Sequence, residues 1–251
     1  MKSPATISRL SIYASTIACL AAISSCNPDP NNPDPDPTVS TYPSGILQIE
    51  RIVYAPGVVG PNSDTIDHAE AYFTSTPGDT SNLNLVNAGT VLYNNDSLYA
   101  DFASADTADW IYEFGFNFPG MLPTNVPSIW TVTGSAAIPP FTYTHAGTRP
   151  SLIAPLPDTL HTTTGWTVNF STFISGADSV NIQLVGSTTL EKSALASTGS
   201  ITFSPADLQS LQSANAYVYI TGYSFANEVI NGKRFWFIKD LIVFDYLELV
   251  P

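Results

Sequence analysis

The sequence predicts an all-β protein built as two tandem β-sandwich domains. From residue 41 onward, short runs rich in Val, Ile, Thr, Tyr, Phe and Trp are separated by clusters of Gly, Pro, Asn, Asp and Ser. Apolar residues spaced every 3.6 positions, which would indicate helices, are almost absent. With 44% hydrophobic and 12% charged residues among 251, the chain is also too apolar to be disordered.

The strands follow from these runs taken in order. The clearest hairpin signal is at 90–98, where Asn94 and Asn95 join two β-prone runs. The clearest alternation of apolar and polar residues places Trp166 and Val168 on one face of a strand. This pattern predicts that one face of the strand is buried and the other is exposed to solvent. The predicted strands are 46–54, 70–75, 89–93, 97–102, 110–116, 129–134, 141–144, 164–171, 179–185, 200–203, 216–225, 234–239 and 241–250.

The first 25 residues have the pattern of a signal peptide. Lys2 and Arg9 precede an apolar stretch, 10–23, whose 14 residues are fewer than the roughly 20 that a spanning helix needs. A segment of this kind is removed from the mature protein. The folded body is therefore expected to lie after residue 25.

The signal peptide ends in Ile23-Ser24-Ser25-Cys26, a branched apolar residue and two small residues before a cysteine. This sequence resembles the bacterial lipobox. The resemblance implies cleavage before Cys26 and lipid attachment to its sulfur. Cys19 is a poorer match, since it would shorten the apolar segment to nine residues. The alternative is an ordinary secreted protein in which the cysteine is incidental.

Residues 26–40 form a predicted linker. Behind Cys26, five prolines alternate with acids and amides over 27–37, and no large apolar side chain is present. Such a segment stays near polyproline II and reaches about 40 Å. Acidic residues after a lipidated cysteine resemble the surface-export signals of Bacteroidota lipoproteins. That resemblance implies an outer-membrane protein on the cell surface, held to the membrane through its lipid alone.

Charge divides the remaining chain near residue 148. Residues 52–148 hold nine acids and no Lys or Arg, whereas residues 149–251 hold five bases and eight acids. A step in composition of this kind favours a domain boundary. We predict an acidic β-sandwich over 41–148 and a second sandwich over 149–251. A single larger sandwich of about 210 residues is the alternative, because β domains of that length occur.

One helix is predicted, beginning at Ser204. Ser204 suits the N-cap, Pro205 the first helical position and Asp207 the positive end of the helix dipole. A short helix between two strands resembles the E-to-F crossover of immunoglobulin-like and fibronectin-like sandwiches. The resemblance covers residues 150–251, which lack the cysteine pair of that family, and implies an immunoglobulin-like second domain.

Composition excludes several functional classes. The net charge of −13 repels phosphate backbones, so nucleic acid is not an expected partner. Of the two cysteines, Cys19 lies in the signal peptide and Cys26 would carry lipid. The mature chain therefore has no disulfide, thiolate nucleophile or cysteine-bound zinc.

Two acidic runs are the only candidates for a metal site. They contain oxygen ligands that suit calcium, but neither has EF-hand spacing. We predict solvated acidic loops and no bound metal, with structural calcium as the alternative. The runs are Asp64, Asp67 and Glu70, and Asp101, Asp106 and Asp109.

Catalytic residues are not predicted. No Gly-x-Ser-x-Gly elbow occurs, since Gly134-Ser135 and Gly186-Ser187 both lack the second glycine. The three histidines, His68, His145 and His161, are isolated in sequence, and we expect each at the surface or in a structural contact. We predict no enzymatic activity and no cofactor. A hydrolase of unknown class stays as an alternative.

Aromatic residues are the best candidates for ligand binding. Trp166 alternates with apolar residues and is predicted in the core, while Trp110 follows an acid in a polar stretch and is the best candidate for an exposed ring. We predict a lipid-anchored, non-enzymatic binding, adhesion or structural module with a glycan or protein partner. The specific alternative, a glycan-binding accessory lipoprotein, requires a shallow aromatic strip on one sheet. The other tryptophans are Trp130 and Trp236.

Overall fold

The computed structural model describes residues 40, 42–54, 64–78, 84–102, 110–113 and 127–251, and this part of the chain is all-β as predicted. The signal peptide, Cys26 and the linker up to residue 39 lie outside the described residues. The strands are β1 (Gly45–Tyr54), β2 (Asp64–Phe73), β3 (Val91–Tyr93), β4 (Asp96–Ser97), β5 (Tyr99–Phe102), β6 (Trp110–Glu113), β7 (Ser128–Val132), β8 (Phe141–His145), β9 (Ser151–Leu152), β10 (Thr159–His161), β11 (Trp166–Asn169), β12 (Ile174–Ser175), β13 (Ser179–Val185), β14 (Thr189–Leu195), β15 (Ser200–Phe203), β16 (Asn215–Ile230) and β17 (Lys233–Val250). The helices are α1 (Phe170–Phe173) and α2 (Pro205–Ser210), with a 3₁₀ turn at Ala196–Thr198.

A nine-stranded sheet forms the centre of the fold. Its strand order is β14-β13-β16-β17-β1-β2-β6-β5, and β10 also pairs with β17. The hairpin of β16 and β17 is continuous from Asn215↔Glu248 to Ile230↔Lys233. At about 3.3 Å per residue, the 18 residues of β17 span about 60 Å. Strand β1 pairs with β17 in parallel along its whole length, so residues from the two ends of the described chain lie side by side.

One face of this sheet, which we call the inner face, carries two hydrophobic cores side by side. The first core contains Leu47, Ile49 and Phe237. It is covered by a four-stranded sheet of order β4-β3-β7-β8, the first cover, which contributes Tyr93 and Trp130. Every one of these side chains is almost fully buried.

The second core lies further along the same strands. Ile182, Ile220 and Val243 of the large sheet pack there against a second cover, made of the β11–β15 pair with α1 and α2. That cover contributes Phe203 and Leu208, which are 0% and 1% exposed. The chain therefore has two cores and two covers on one shared sheet.

The chain crosses from the first cover to the second over residues 146–150, close to the boundary predicted at residue 148. Strands β16 and β17 nevertheless run beneath both covers, and Val39–Pro251 group as one compact unit. Two separate tandem domains are therefore not confirmed, and the shared sheet favours the alternative of one larger body. The immunoglobulin-like topology stays a prediction.

Several local predictions are confirmed. Asn94 and Asn95 have φ values of 49° and 73° and form the turn between β3 and β4. Trp166 and Val168 are buried, while Thr167 and Asn169 are exposed. Helix α2 begins as expected, with Ser204 as N-cap in a capping box with Asp207.

Several predicted boundaries are wrong, and three of them have a clear physical reason. Strand β2 begins at Asp64, not at residue 70, because its polar residues pair within the fold. The predicted strands 234–239 and 241–250 are one strand, since Lys239 and Asp240 are buried. The predicted strand 164–171 is only Trp166–Asn169, because Asn169 caps α1 by accepting a hydrogen bond from the Ser171 backbone N–H. None of the helices in the described ranges is long and apolar enough to cross a membrane.

Candidate functional site

Five aromatic side chains lie together on the outer face of the large sheet, the face opposite the two cores. They are Tyr54, Tyr217, Tyr219, Phe244 and Tyr246, and we call them the aromatic strip. Phe244 of β17 pairs with Tyr54 of β1 on one side and with Tyr219 of β16 on the other, and Tyr246 pairs with Tyr217. Because side chains alternate along a strand, all five point away from the second core.

The rings of the strip contact one another around Phe244. Its ring centroid is 4.7 Å from that of Tyr219, 5.5 Å from Tyr217 and 5.7 Å from Tyr54. Tyr217 and Tyr246 are 5.4 Å apart, and each is 46% exposed. The other three rings are half-buried. Contiguous aromatic surface of this kind is typical of a binding site.

Polar side chains border the strip on the neighbouring strands. Gln183 of β13 lies beside Tyr219, and Glu191 of β14 lies beside Gln183. One row away, the Asn181 side-chain amide donates hydrogen bonds to Glu191 Oε1 and to Ser193 Oγ, both at 2.8 Å. Apolar rings with polar groups next to them can hold a ligand that has both kinds of surface.

The hydroxyls of Tyr54 and Tyr219, two of the strip's tyrosines, keep their protons at neutral pH. Burial raises the pKa of Tyr219, and the neighbouring Tyr217 and Tyr54 hydroxyls raise it further. Burial, and then the charge of Glu50, raise the pKa of Tyr54. Each of these hydroxyls therefore remains available as a hydrogen-bond donor.

The tryptophans do not build this surface. Trp130, Trp166 and Trp236 are 0%, 9% and 2% exposed, which confirms the core position predicted for Trp166. Only the backbone of Trp110 is described, in β6, so its predicted exposure stays untested. The aromatic strip is made of Tyr and Phe instead. The alternation of Tyr217, Val218, Tyr219 and Ile220 is the sequence signal that could have located it.

Further along the outer face lies an acid cluster, which consists of Glu50, Glu70 and Asp240. Asp240 is 1% exposed and pairs with Glu50 across the β1–β17 ladder. The Gln48 side-chain amide donates to Asp240 Oδ2 at 3.0 Å, whereas Asp240 Oδ1 has no hydrogen-bond partner within the described residues. Burial, and then the charges of Glu50 and Glu70, raise the pKa of Asp240 well above its ordinary value.

A second polar group lies on the inner face, between the two cores. The Arg51 guanidinium donates through Nε and Nη2 to both oxygens of Asp67, at 2.7 and 2.6 Å. Arg149 donates through Nη1 to Asp67 Oδ1 at 3.1 Å. Lys239 donates through Nζ to the backbone carbonyls of His145, at 2.9 Å, and of Gly147. Burial and the nearby Arg149 lower the pKa of Lys239 to about 8.

The structure corrects the interpretation of the acidic run at Asp64, Asp67 and Glu70. These residues belong to β2 rather than to a solvated loop, and the Asp67 side chain is fully buried because two arginines neutralise it. Asp67 faces the inner side and Glu70 the outer side, so they do not converge on one ion. Within the described ranges, no three or more His, Cys, Asp or Glu side chains are arranged so that they could hold a metal ion. Asp106 and Asp109 lie outside them, and of Asp101 only the backbone is described.

The serines and histidines considered for catalysis lie apart. Ser135 and Ser187 donate their hydroxyl hydrogens to the backbone carbonyls of Asn87 and Gln212, which are structural contacts. His161 is exposed, His145 is buried between the covers, and His68 Nε2 lies 3.4 Å from Glu113 Oε2. Among the described residues, no histidine forms a hydrogen bond with the hydroxyl of either serine.

Comparison with known proteins identifies no relative of this chain. No family model, no curated protein and no solved structure matches the chain.

Proposed function

We propose that this chain is a lipid-anchored protein of the outer membrane, exposed at the cell surface, whose all-β body acts as a non-enzymatic binding module. The single observation that carries the proposal is the aromatic strip on the outer face, with Tyr217 and Tyr246 each 46% exposed. Lipid attachment at Cys26 and the linker over 26–40 would hold this body away from the membrane.

A glycan is the ligand class that suits the strip. Pyranose rings present apolar C–H faces that stack on aromatic rings, and their hydroxyls need donors and acceptors at the edge. The strip supplies the rings, and Gln183, Glu191 and the tyrosine hydroxyls supply the polar contacts. A purely apolar protein partner would leave these polar groups unpaired, at a cost in free energy.

A hydrolase is less well supported by the same face. A glycosidase needs two carboxyl groups that flank a sugar in a cleft. Asp240 and Glu70 are only 1% and 4% exposed, so neither can reach a bound sugar. We therefore assign the outer face to binding and not to hydrolysis.

The experiment uses the full-length chain, purified in detergent micelles and applied to an array of neutral and acidic glycans. The affinity of each glycan that binds on the array is then measured by calorimetry for the wild type, Tyr217→Ala and Tyr246→Ala. We expect at least a tenfold loss of affinity for each variant, because each removes an exposed ring of the strip.

Tyr99→Ala is the matched control, because Tyr99 is 72% exposed but lies on β5 at the far edge of the same sheet. It should bind like the wild type. No glycan hit, or equal affinities for the strip variants and Tyr99→Ala, would overturn the assignment of the strip to glycans.

The anchor is tested in cells of a lipoprotein-processing bacterium grown with radiolabelled palmitate. The wild-type chain should become labelled, and Cys26→Ser should not, because the acceptor sulfur is lost. Cys19→Ser serves as the control and should keep the label. Label that is retained in Cys26→Ser would contradict the proposal that lipid is attached to Cys26.

A further inference from the structure

A cleft lies between the two covers of the large sheet, next to the polar group of Arg51, Asp67, Arg149 and Lys239. Its volume is about 720 Å³, within the range of small-molecule sites. Arg51 and Arg149 both line it, together with the segments 146–151 and 175–176. The hydroxyls of Ser151 and Ser175 are 2.8 Å apart in its wall.

Positive charge is concentrated at this cleft in an otherwise acidic chain. The sequence has only eight Lys and Arg and a net charge of −13, yet three of its bases meet here. Within the described part of the chain, Asp67 is the one carboxylate hydrogen-bonded to them, and Lys239 is bonded to backbone carbonyls. The buried polar group therefore has more cations than anions on the inner face.

The arginines have donors left for a ligand. Arg51 uses Nε and Nη2 on Asp67, and Arg149 uses Nη1. Among the described residues, no hydrogen bond engages Arg51 Nη1 or Arg149 Nη2. Arg51 is also 23% exposed, so a ligand in the cleft can reach it.

Asp67 holds both guanidinium groups in place before any ligand arrives. Its side chain is fully buried and cannot itself contact a ligand in the cleft. A guanidinium fixed in this way loses little further entropy on binding. Its planar set of N–H groups matches the two oxygens of a carboxylate.

We propose that this cleft binds the carboxylate of a small organic acid, with Arg51 and Arg149 as binding residues and Asp67 as the residue that positions them. Aliphatic acids and uronic acids share the required group, whereas a neutral sugar lacks it. The cleft lies on the inner face and the aromatic strip on the outer face, so this proposal and the glycan proposal can fail independently.

The test titrates the full-length chain in detergent micelles with sodium acetate, sodium glucuronate, glucose and sodium sulfate by calorimetry. We expect saturable binding of glucuronate, acetate or both, and none of glucose. Arg51→Gln should weaken carboxylate binding at least tenfold. Arg51→Lys should weaken it severalfold, because an ammonium keeps the charge but loses the planar pair of donors.

Two further variants keep the test decisive if Arg51→Gln does not fold. Ser175→Phe places a ring in the cleft without changing any charge and should also abolish binding. Lys233→Gln removes one positive charge at the tip of the β16–β17 hairpin, outside the cleft, and should bind like the wild type.

Each other outcome counts against the carboxylate site. Glucose binding as tightly as glucuronate would show recognition of hydroxyls. Sulfate bound while neither carboxylate binds would show a different anion site. Equal affinities in Ser175→Phe and the wild type would place any binding outside the cleft. Tyr217→Ala should leave carboxylate affinity unchanged.

Discussion

His145 is neutral in the folded protein because it lies buried beside a cation. Its side chain is 4% exposed, and burial together with the nearby Lys239 lowers its pKa from 6.5 to about 4. Its Nδ1 has no hydrogen-bond partner within the described residues. Protonation of this imidazole would leave an unpaired charge between the two covers.

This environment predicts acid sensitivity. Between pH 6.5 and pH 4 the unfolded chain binds the His145 proton and the folded chain does not, so stability falls as the pH falls through that window. We expect His145 to account for roughly 2–3 kcal/mol of the loss between pH 7 and pH 4.5. Urea unfolding of the wild type and His145→Gln at both pH values measures it.

His161→Gln is the control for this measurement, since His161 is exposed on β10 and lies outside the buried polar group. It should keep the wild-type difference between the two pH values. If His145→Gln also keeps that difference, the buried imidazole is not the source of the acid sensitivity.

At the residue scale, the polar group of the cleft could not be predicted from sequence. Arg51, Arg149 and Lys239 are separated by 98 and 90 positions, and only the parallel pairing of β1 with β17 brings two of them together. The sequence alone predicts that Asp67 is an exposed acid, because nothing near it in sequence shows that two arginines pair with it in the fold. The aromatic strip, by contrast, follows from alternation within β16 and β17.

At the scale of single elements, α2 shows which signals were sufficient. The Ser204 hydroxyl accepts from the Asp207 backbone N–H at 3.1 Å, and the Asp207 carboxylate accepts from the Ser204 backbone N–H at 2.8 Å. Both contacts are local, so the sequence predicts them. The helix then places Leu208 in the second core.

We expect Ser204→Ala to destabilise the protein by about 1 kcal/mol, because the first turn of α2 loses one of its capping acceptors. Ser210→Ala, in the exposed last turn of the same helix, is the control and should change stability by less than about 0.5 kcal/mol. Urea midpoints compare the two variants. Equal midpoints would mean that the cap contributes no net stability.

The β16–β17 hairpin shows a signal that was missed. Asn231 and Gly232 join the two long strands with φ values of 50° and 75°, and Asn-Gly is the strongest sequence pattern for such a turn. The predicted strands end at residue 225 and begin again at residue 234. The paired strands in fact extend to Ile230 and Lys233.

Gly232→Ala should lower the free energy of unfolding by about 1 kcal/mol, because a residue with a Cβ is strained at positive φ. An added Cβ at Gly232 would contact no atom within 4 Å, so the effect comes from backbone conformation alone. Thermal unfolding measures the change, and Lys233→Ala at the same tip controls for loss of side-chain atoms. A Gly232→Ala melting temperature no lower than that of Lys233→Ala would show that this turn does not require glycine.

For the whole molecule, the decisive feature is the sharing of one sheet by two cores. The sequence predicts the buried face of Trp166 and Val168 and a boundary near residue 148, since both follow from local pattern. It does not predict that β17 runs under both cores. A lysine and an aspartate at positions 239 and 240 look like a break between strands, but both are buried.

This shared sheet predicts that the two cores unfold together. Leu47 is fully buried in the first core, and Leu47→Ala should destabilise the protein by about 2–5 kcal/mol. Trp166, in the second cover, is the reporter of the second core. Because β16 and β17 cannot separate from the first core while still supporting the second, Leu47→Ala should lower the unfolding midpoint seen at Trp166 as well. The readout is the fluorescence of a chain whose other three tryptophans are replaced by Phe. A Trp166 midpoint unchanged by Leu47→Ala would instead show two independent domains, each stable without the other.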